Sequence, residues 1–200
     1  MTMFISNPYN DLNAELSAAI ISGGLRMMEL LTEIPVQAFS RVGLIGGAQI
    51  ETDGDFFTLS SGRLHSGTSE NIAVILPVYD APPAVGEHCD EDLADLLAWY
   101  PGMPDQWWQR NGMAWALGQH LSEFSFLHDG PIHFHRSPHA WLKAAGEGVC
   151  ILDKACAYEQ FGQAKKIYAE DRQHGRELEK LLTPAPLPRP EVVVPKGSAA

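Results

Sequence analysis

The sequence predicts an α/β fold, α+β when taken as a whole, and three features of the chain carry that expectation. Across residues 10–34, Leu12, Leu16, Ile20, Met27, Leu31 and Ile34 recur at spacings of three, four or seven, the repeat of one helix face. Residues 41–80 break into short apolar runs between turn residues, which reads as an antiparallel meander. Residues 131–182 alternate strand-like and helix-like segments three times. That βαβαβα order predicts parallel strands with helical crossovers. The expected organisation is a helix and antiparallel strands over 1–80, a helical segment and the βαβαβα unit over 81–182, and a proline-rich tail over 183–200. The first two parts are expected to pack as one domain.

Taken in order, the first helix can be capped by Asn10 or Asp11 and is ended by Pro35. Gly23 and Gly24 fall inside it, which predicts two short helices or one kinked helix. Strands are expected at 42–50, 56–60, 62–65 and 71–79, with Asp53-Gly54-Asp55 turning the first into the second. The run 72–76 is apolar on both faces and should be a central strand. After a break at Ala81-Pro82-Pro83, residues 90–99 read as a helix with Leu93, Leu96, Leu97 and Tyr100 on one side. A second break, Pro101-Gly102-Met103-Pro104, precedes a helix capped by Asp105, running through Trp107, Trp108 and Trp115 to Leu117 and closed by Gly118.

The best-patterned stretch follows. Residues 132–135 read as a strand, and Ser137-Pro138 as an N-cap with proline at the first helical position. A helix over 140–145 stops at Gly146 and Gly148. A strand over 149–152 ends at Asp153, and a short helix over 154–161 closes at Gly162. A strand over 165–169 then leads into an amphipathic helix over 171–182. From Thr183 the chain holds five prolines in eighteen residues, an extended or disordered tail in which Pro186-Leu187-Pro188-Arg189-Pro190 has polyproline character.

Composition bounds the function. With 45% hydrophobic and 20% charged residues the chain can bury a real core, which excludes global disorder. No apolar run is long enough to cross a bilayer, and the N-terminus lacks the basic and apolar regions of a secretory signal. Cys89, Cys150 and Cys156 form no CxxC pair, so a reducing compartment, the cytoplasm, is expected. The net charge of −11 sits wholly in the first hundred residues, where three Lys/Arg meet fourteen Asp/Glu. The second hundred holds eleven of each. A nucleic-acid contact must therefore use the second half, because acidic surface repels phosphate.

Several residue clusters suggest chemistry. His133 and His135 share a strand face, and His139 lies in the first turn of the next helix. Three imidazoles plus water suit zinc, with His128, Asp129 or Asp153 as a further ligand or orienter. Packing and loop hydrogen bonds are the simpler account of them, since no HExxH or CxxC spacing accompanies them. His88-Cys89 beside an acidic run reads as helix capping rather than as a nucleophile and base. Val42-Gly43-Leu44-Ile45-Gly46-Gly47 lacks the GxGxxG spacing leading into a helix, so it is no dinucleotide fingerprint. Asp53 and Asp55 form a DxD pair that a hairpin turn explains. Five tryptophans fall between Trp99 and Trp141. Trp107 and Trp108, adjacent on the expected helix and about 100° apart, cannot both point to its core, so Trp108 becomes a candidate surface contact.

Glu170-Asp171-Arg172-Gln173-His174-Gly175-Arg176-Glu177, following the strand at 165–169, resembles the last acidic motif of toprim domains, which occur in primases, topoisomerases and related nucleases. Glu170 matches the first acidic position of that motif, and Gly175-Arg176 the helix entry. Arg172 stands where the second metal-binding carboxylate is expected, and His135-Arg136 where the family has its catalytic glutamate. The resemblance covers 131–182, and with two departures at metal positions it implies an inactive relative. More widely, Asp95-Leu96, Ala98-Trp99, Trp108, Arg110, Gly112, Leu117-Gly118, Ser137-Pro138, Trp141-Leu142 and Gly148 to Asp153 resemble small uncharacterised proteins of bacterial prophages and mobile elements. That similarity implies a bacterial or phage origin and carries no activity with it.

The expected function is a non-enzymatic accessory or binding protein, acting in nucleic-acid metabolism through a degenerate toprim-like module, with Arg136, Lys143, Arg172 and Arg176 as its polar contact face. No cofactor is expected. The partner is a nucleic acid or a protein met through the C-terminal half, with no membrane. The first alternative is a zinc- or manganese-dependent hydrolase or nuclease centred on His133, His135 and His139, with Asp153 or Glu170 as base. A second is a structural, oligomeric protein.

Overall fold

The computed structural model of the protein describes residues 8–60, 72–80, 93–122 and 130–184. The strand expected at 62–65, the His88-Cys89 pair with its acidic run, His128, Asp129 and the chain beyond 184 lie outside the described residues. The fold is α/β, with two sheets, five α-helices and a short 3-10 helix (Gln119–Ser122) described.

The chain opens with helix α1 (Pro8–Leu30) and helix α2 (Val36–Val42), separated near Pro35 as the sequence predicts. It continues through β1 (Gly46–Ala48), β2 (Ile50–Asp53), β3 (Phe56–Leu59), β4 (Ala73–Tyr79), β5 (Leu93–Trp99) and β6 (Trp107–Gln109). These six strands form one sheet in the order β1-β4-β5-β6-β3-β2. The β2–β3 hairpin turns at Gly54, whose φ of +58° suits glycine, and the central position expected for 72–76 is realised in β4. The simple meander is not realised. β1 pairs with β4 rather than with β2, and β3 pairs with β6 in parallel.

Two expected helices are strands. Residues 93–99 are buried at every position, which removes the polar face that would separate helix from strand by periodicity. Both edges of β5 are satisfied by β4 and β6, so the backbone bonds outward into the sheet. Likewise Trp107 belongs to β6, and Ala116–Leu117 forms β7, so the expected helix from Asp105 to Leu117 is not formed. Alternation then sorts the tryptophans. Trp108 packs beside Phe57, Leu96 and Ala98 on one face of the sheet, while Trp107 turns to the other.

Helix α1 is continuous through Gly23 and Gly24, and the expected kink is replaced by a close approach. Its N-terminal half (Leu12, Leu16, Ala19) packs on one face of the large sheet, and Met27, Leu31 and Ile34 pack on the other. The helix therefore crosses over edge strand β1. At the crossing a Cβ on Gly23 would stand 2.7 Å from the Gly47 Cα, and one on Gly46 would stand 2.6 Å from the Ala19 Cβ. Ser22 Oγ also donates to the Gly47 carbonyl at 3.1 Å. Covering β1 in this way protects a sheet edge.

Asp95, fully buried in β5, organises the link to the second half. Its Oδ1 accepts from the backbone N–H groups of Leu96, Arg110 and Asn111 at 2.7, 3.2 and 3.1 Å. Its Oδ2 accepts from those of Met113 and Ala114 at 3.0 and 3.3 Å. Arg110 in that loop forks onto Glu15 of α1 at 2.7 and 2.8 Å.

The second sheet contains β7, β8 (Ile132–His135), β9 (Val149–Ile151) and β10 (Ile167–Tyr168), in the order β10-β8-β9-β7. As the sequence predicts, β8 runs parallel to both β9 and β10, and antiparallel β7 closes one side. Helix α3 (Pro138–Lys143) joins β8 to β9 and carries the expected Ser137 cap, whose side chain accepts from the Ala140 N–H. Helix α4 (Ala157–Phe161) joins β9 to β10, and α5 (Arg172–Leu181) follows under an Asp171 cap. Since β9 and β10 flank β8 on opposite sides, α3 and α4 fall on opposite faces of the sheet. Trp141 and Leu142 of α3 join the core shared with the large sheet. Phe161 of α4 and Leu178 of α5 pack with Phe134 and Val149 on the far side.

Two outcomes test this account. Alanine in place of glycine usually stabilises a helix interior, but Gly23→Ala should destabilise the protein by about 1–3 kcal/mol in denaturant unfolding, because its methyl meets backbone. Gly24→Ala, whose nearest neighbour would be the Ile45 carbonyl oxygen at 3.3 Å, should cost far less. Asp95→Ala should lower stability by about 3 kcal/mol or more in the same measurement, since it strips the loop amides of their shared acceptor.

Candidate functional site

The carboxyl ends of β8 and β10 meet at the point where the strand order reverses, the usual place for a ligand crevice in an open parallel sheet. Beside it, over the carboxyl ends of β8 and β9 and against α5, opens a cavity of about 500 Å³, within the range of small-molecule sites. Its apolar wall is Trp107 of β6, Phe134 of β8, Ile151 of β9 and Leu178 and Leu181 of α5. His135, Arg136 and His174 line the inner polar wall, and Asp105, Lys154, Glu177 and Lys180 complete the lining.

Arg136 dominates the electrostatics. Its Nη1 and Nη2 donate to the two carboxylate oxygens of Asp171 at 2.7 and 3.0 Å, and its backbone N–H donates to Glu170 at 3.3 Å. The guanidinium Nε also stands 3.9 Å from Glu177. The Asp171 bond and the surrounding carboxylates push the guanidinium pKa up. The backbone N–H of His174, and then Arg136, hold the Asp171 carboxyl below its ordinary range. A bidentate fork of this kind fixes geometry as well as charge.

His174 is buried where α5 begins. Burial pushes its imidazole pKa down, against the pull of the Glu170, Glu177 and Asp171 carboxylates. The Glu170 backbone N–H donates to its Nδ1 at 3.3 Å, which requires that nitrogen to be unprotonated and places the ring proton on Nε2.

The structure does not bring the three predicted metal histidines together. His133 is exposed, its ring edge-on to Tyr168 of β10 at 4.9 Å. His135 donates from Nε2 to the Glu147 carbonyl at 2.9 Å and turns Nδ1 towards Glu170 at 3.5 Å. His139 donates from Nε2 to Glu33 at 2.7 Å. Among the described residues no group of three His, Cys, Asp or Glu side chains is placed to hold a metal ion. Asp153, one of the two bases considered, caps its own turn by accepting from the Ala155 N–H at 2.8 Å.

The other predicted contacts separate. Arg136 lines the crevice. Lys143 is engaged by Glu33 at 2.7 Å, and with His139 it holds that carboxyl below its ordinary range. Arg172 and Arg176 lie exposed on α5, and neither makes an ion pair among the described residues. Trp108 is a correction: it is 7% exposed, packed edge-on to Tyr100 at 5.9 Å, and offers no surface contact. Trp107 takes that place. Cys150 is fully buried with its thiol pKa pushed up, an inert core residue.

Sequence reasoning missed Trp107, Lys154, His174 and Lys180 as lining residues. For His174 the signal was present, because it shares the apolar face of α5 with Leu178 and Leu181. Comparison with protein-family models, curated proteins and solved structures finds no match.

The lowered imidazole pKa has a sign that can be checked. An unfolded histidine titrates near 6.5, so below about that pH the unfolded chain takes up a proton that folded His174 refuses. His174 therefore contributes stability that is fully present above about pH 6.5 and is lost as pH falls towards its lower native value. Denaturant melts at pH 7.5 and 5.5 should show the wild type losing more stability on acidification than His174→Gln. Equal losses would show that the buried ring does not govern this window.

Proposed function

We propose that this chain is a non-enzymatic binding protein acting in nucleic-acid metabolism, with its working face at the carboxyl edge of the parallel sheet. The observation that carries the reading is Arg136, whose guanidinium is bound to Asp171 and lies near Glu177 while its backbone N–H donates to Glu170. Metal-dependent phosphoryl chemistry needs carboxylates left open to a divalent cation. Here a side chain of the protein already supplies the positive charge, and a fixed guanidinium repels a second cation. The residues therefore do not fit a toprim-type metal centre, although they occupy the positions that the resemblance compares. Loss of catalysis with retention of the binding edge accounts for both facts.

The rest of the edge supports contact with a polyanion. Arg172 and Arg176 stand one turn apart on the exposed side of α5, the helix that also walls the crevice. A bacterial phage or mobile-element origin is part of the proposal and rests on the sequence resemblance alone.

Fluorescence anisotropy with a labelled single-stranded DNA oligonucleotide at low salt tests the reading. Binding should weaken steeply as salt is raised, and Arg172→Glu with Arg176→Glu should weaken it at least tenfold, about 1.4 kcal/mol. The same oligonucleotide incubated with magnesium or manganese should stay intact. Cleavage would overturn the non-enzymatic reading, and failure to bind single-stranded DNA, duplex DNA or RNA would overturn the nucleic-acid one.

A further inference from the structure

We infer that the crevice between Trp107, β8 and α5 is a binding site for a nucleoside monophosphate. The proposal goes beyond contact with a polymer, because a single nucleotide would fill the crevice whether or not the chain binds nucleic acid strands.

Three chemical features of the lining converge on that ligand class. The first is an apolar surface. Trp107, Phe134, Ile151, Leu178 and Leu181 form one wall, and the half-buried Trp107 ring is the aromatic surface on which a base can stack. The second is a pair of lysines not tied up in ion pairs. Arg136 is spent on Asp171, whereas Lys154 and Lys180 reach the same cavity, are exposed, and make no ion pair among the described residues. Two free ammonium groups over a shared opening suit a dianionic phosphate.

The third feature is a set of hydrogen-bonding groups left over inside. His174 accepts at Nδ1 from Glu170, and its Nε2–H has no acceptor among the described residues, so the ring offers a donor to an occupant. Asp105 and Glu177 add carboxylate acceptors to the lining. A purely apolar anion would leave those carboxylates facing it without donors. A nucleotide supplies ribose hydroxyls and base N–H groups for them. The cavity, about 500 Å³, accommodates a ligand of this size with room for water.

Isothermal titration of the full chain with adenosine, guanosine, cytidine and uridine 5′-monophosphates tests the site, with inorganic phosphate and adenosine as controls. At least one monophosphate should bind with a Kd below about 1 mM and at least tenfold more tightly than either control. Lys154→Ala and Lys180→Ala, both on exposed side chains, should each weaken binding severalfold, and Trp107→Ala should weaken it at least tenfold. Should Trp107→Ala fail to fold, as judged by its thermal melt, the two lysine variants decide. Equal affinity for the nucleotide and inorganic phosphate would overturn the proposal, as would binding that ignores both lysines. Nucleotide binding without oligonucleotide binding would sink only the polymer reading, and the reverse result only this one.

Discussion

The second half of the molecule hangs on one charged fork. Arg136 leaves the end of β8, and Asp171 starts α5 just beyond β10, so their paired bonds at 2.7 and 3.0 Å lock together two strand ends that the chain joins only through two crossovers. Asp171 has a second duty as N-cap, accepting from the His174 N–H at 2.8 Å. One carboxylate thus sets both the start of α5 and the register of the β8 turn against it. The pair lies near the surface, where an isolated ion pair contributes little. Its importance here is positional, because His174, Glu177 and Leu178 reach the crevice only if α5 begins where Asp171 puts it.

That geometry also explains why a crevice exists. Strand β10 pairs with β8 through only Ile167 and Tyr168, and the chain then enters α5, whose Leu178 and Leu181 wall the cavity. Trp107 arrives from the other sheet and closes the cavity from outside the βαβαβα unit. The core shared by the two sheets, including Trp99, Leu117, Trp141 and Cys150, fixes their relation, so a site built from both is held by buried packing rather than by loops alone.

Much of this fold was legible in the residues, and the failures have physical causes. Ser137-Pro138 and Gly54 are local signals whose meaning depends on a few backbone groups, and each acts where the pattern placed it. The parallel strands were legible because turn residues and helices bound them on both sides. Residues 93–99 misled because burial at every position erases the polar positions that distinguish a period of two from one of 3.6. Only the partners reveal the difference, and β4 and β6 lie elsewhere in the sequence. The error carried over to the site: assigning Trp107 and Trp108 to a helix made either one eligible for the surface, whereas strand alternation sends Trp108 into the core and Trp107 to the crevice.

The histidine cluster illustrates the opposite limit. Spacing along a strand and into the next helix showed that His133, His135 and His139 could converge, but not what else competed for them. Each found a partner that no local pattern announces: Tyr168 on β10, the Glu147 carbonyl, and Glu33 from the segment after α1. Glu33 also draws in Lys143, so one distant carboxylate removes two residues from the surface that the sequence had set aside for binding. Long-range charge pairing decides which polar residues remain available, and it works by subtraction. Arg136, Lys143 and His139 are consumed within the fold, and Lys154 and Lys180 are left at the crevice. A site found by asking which charges the fold has not neutralised differs from one found by asking which residues could bind, and in this protein the first question leads to the cavity.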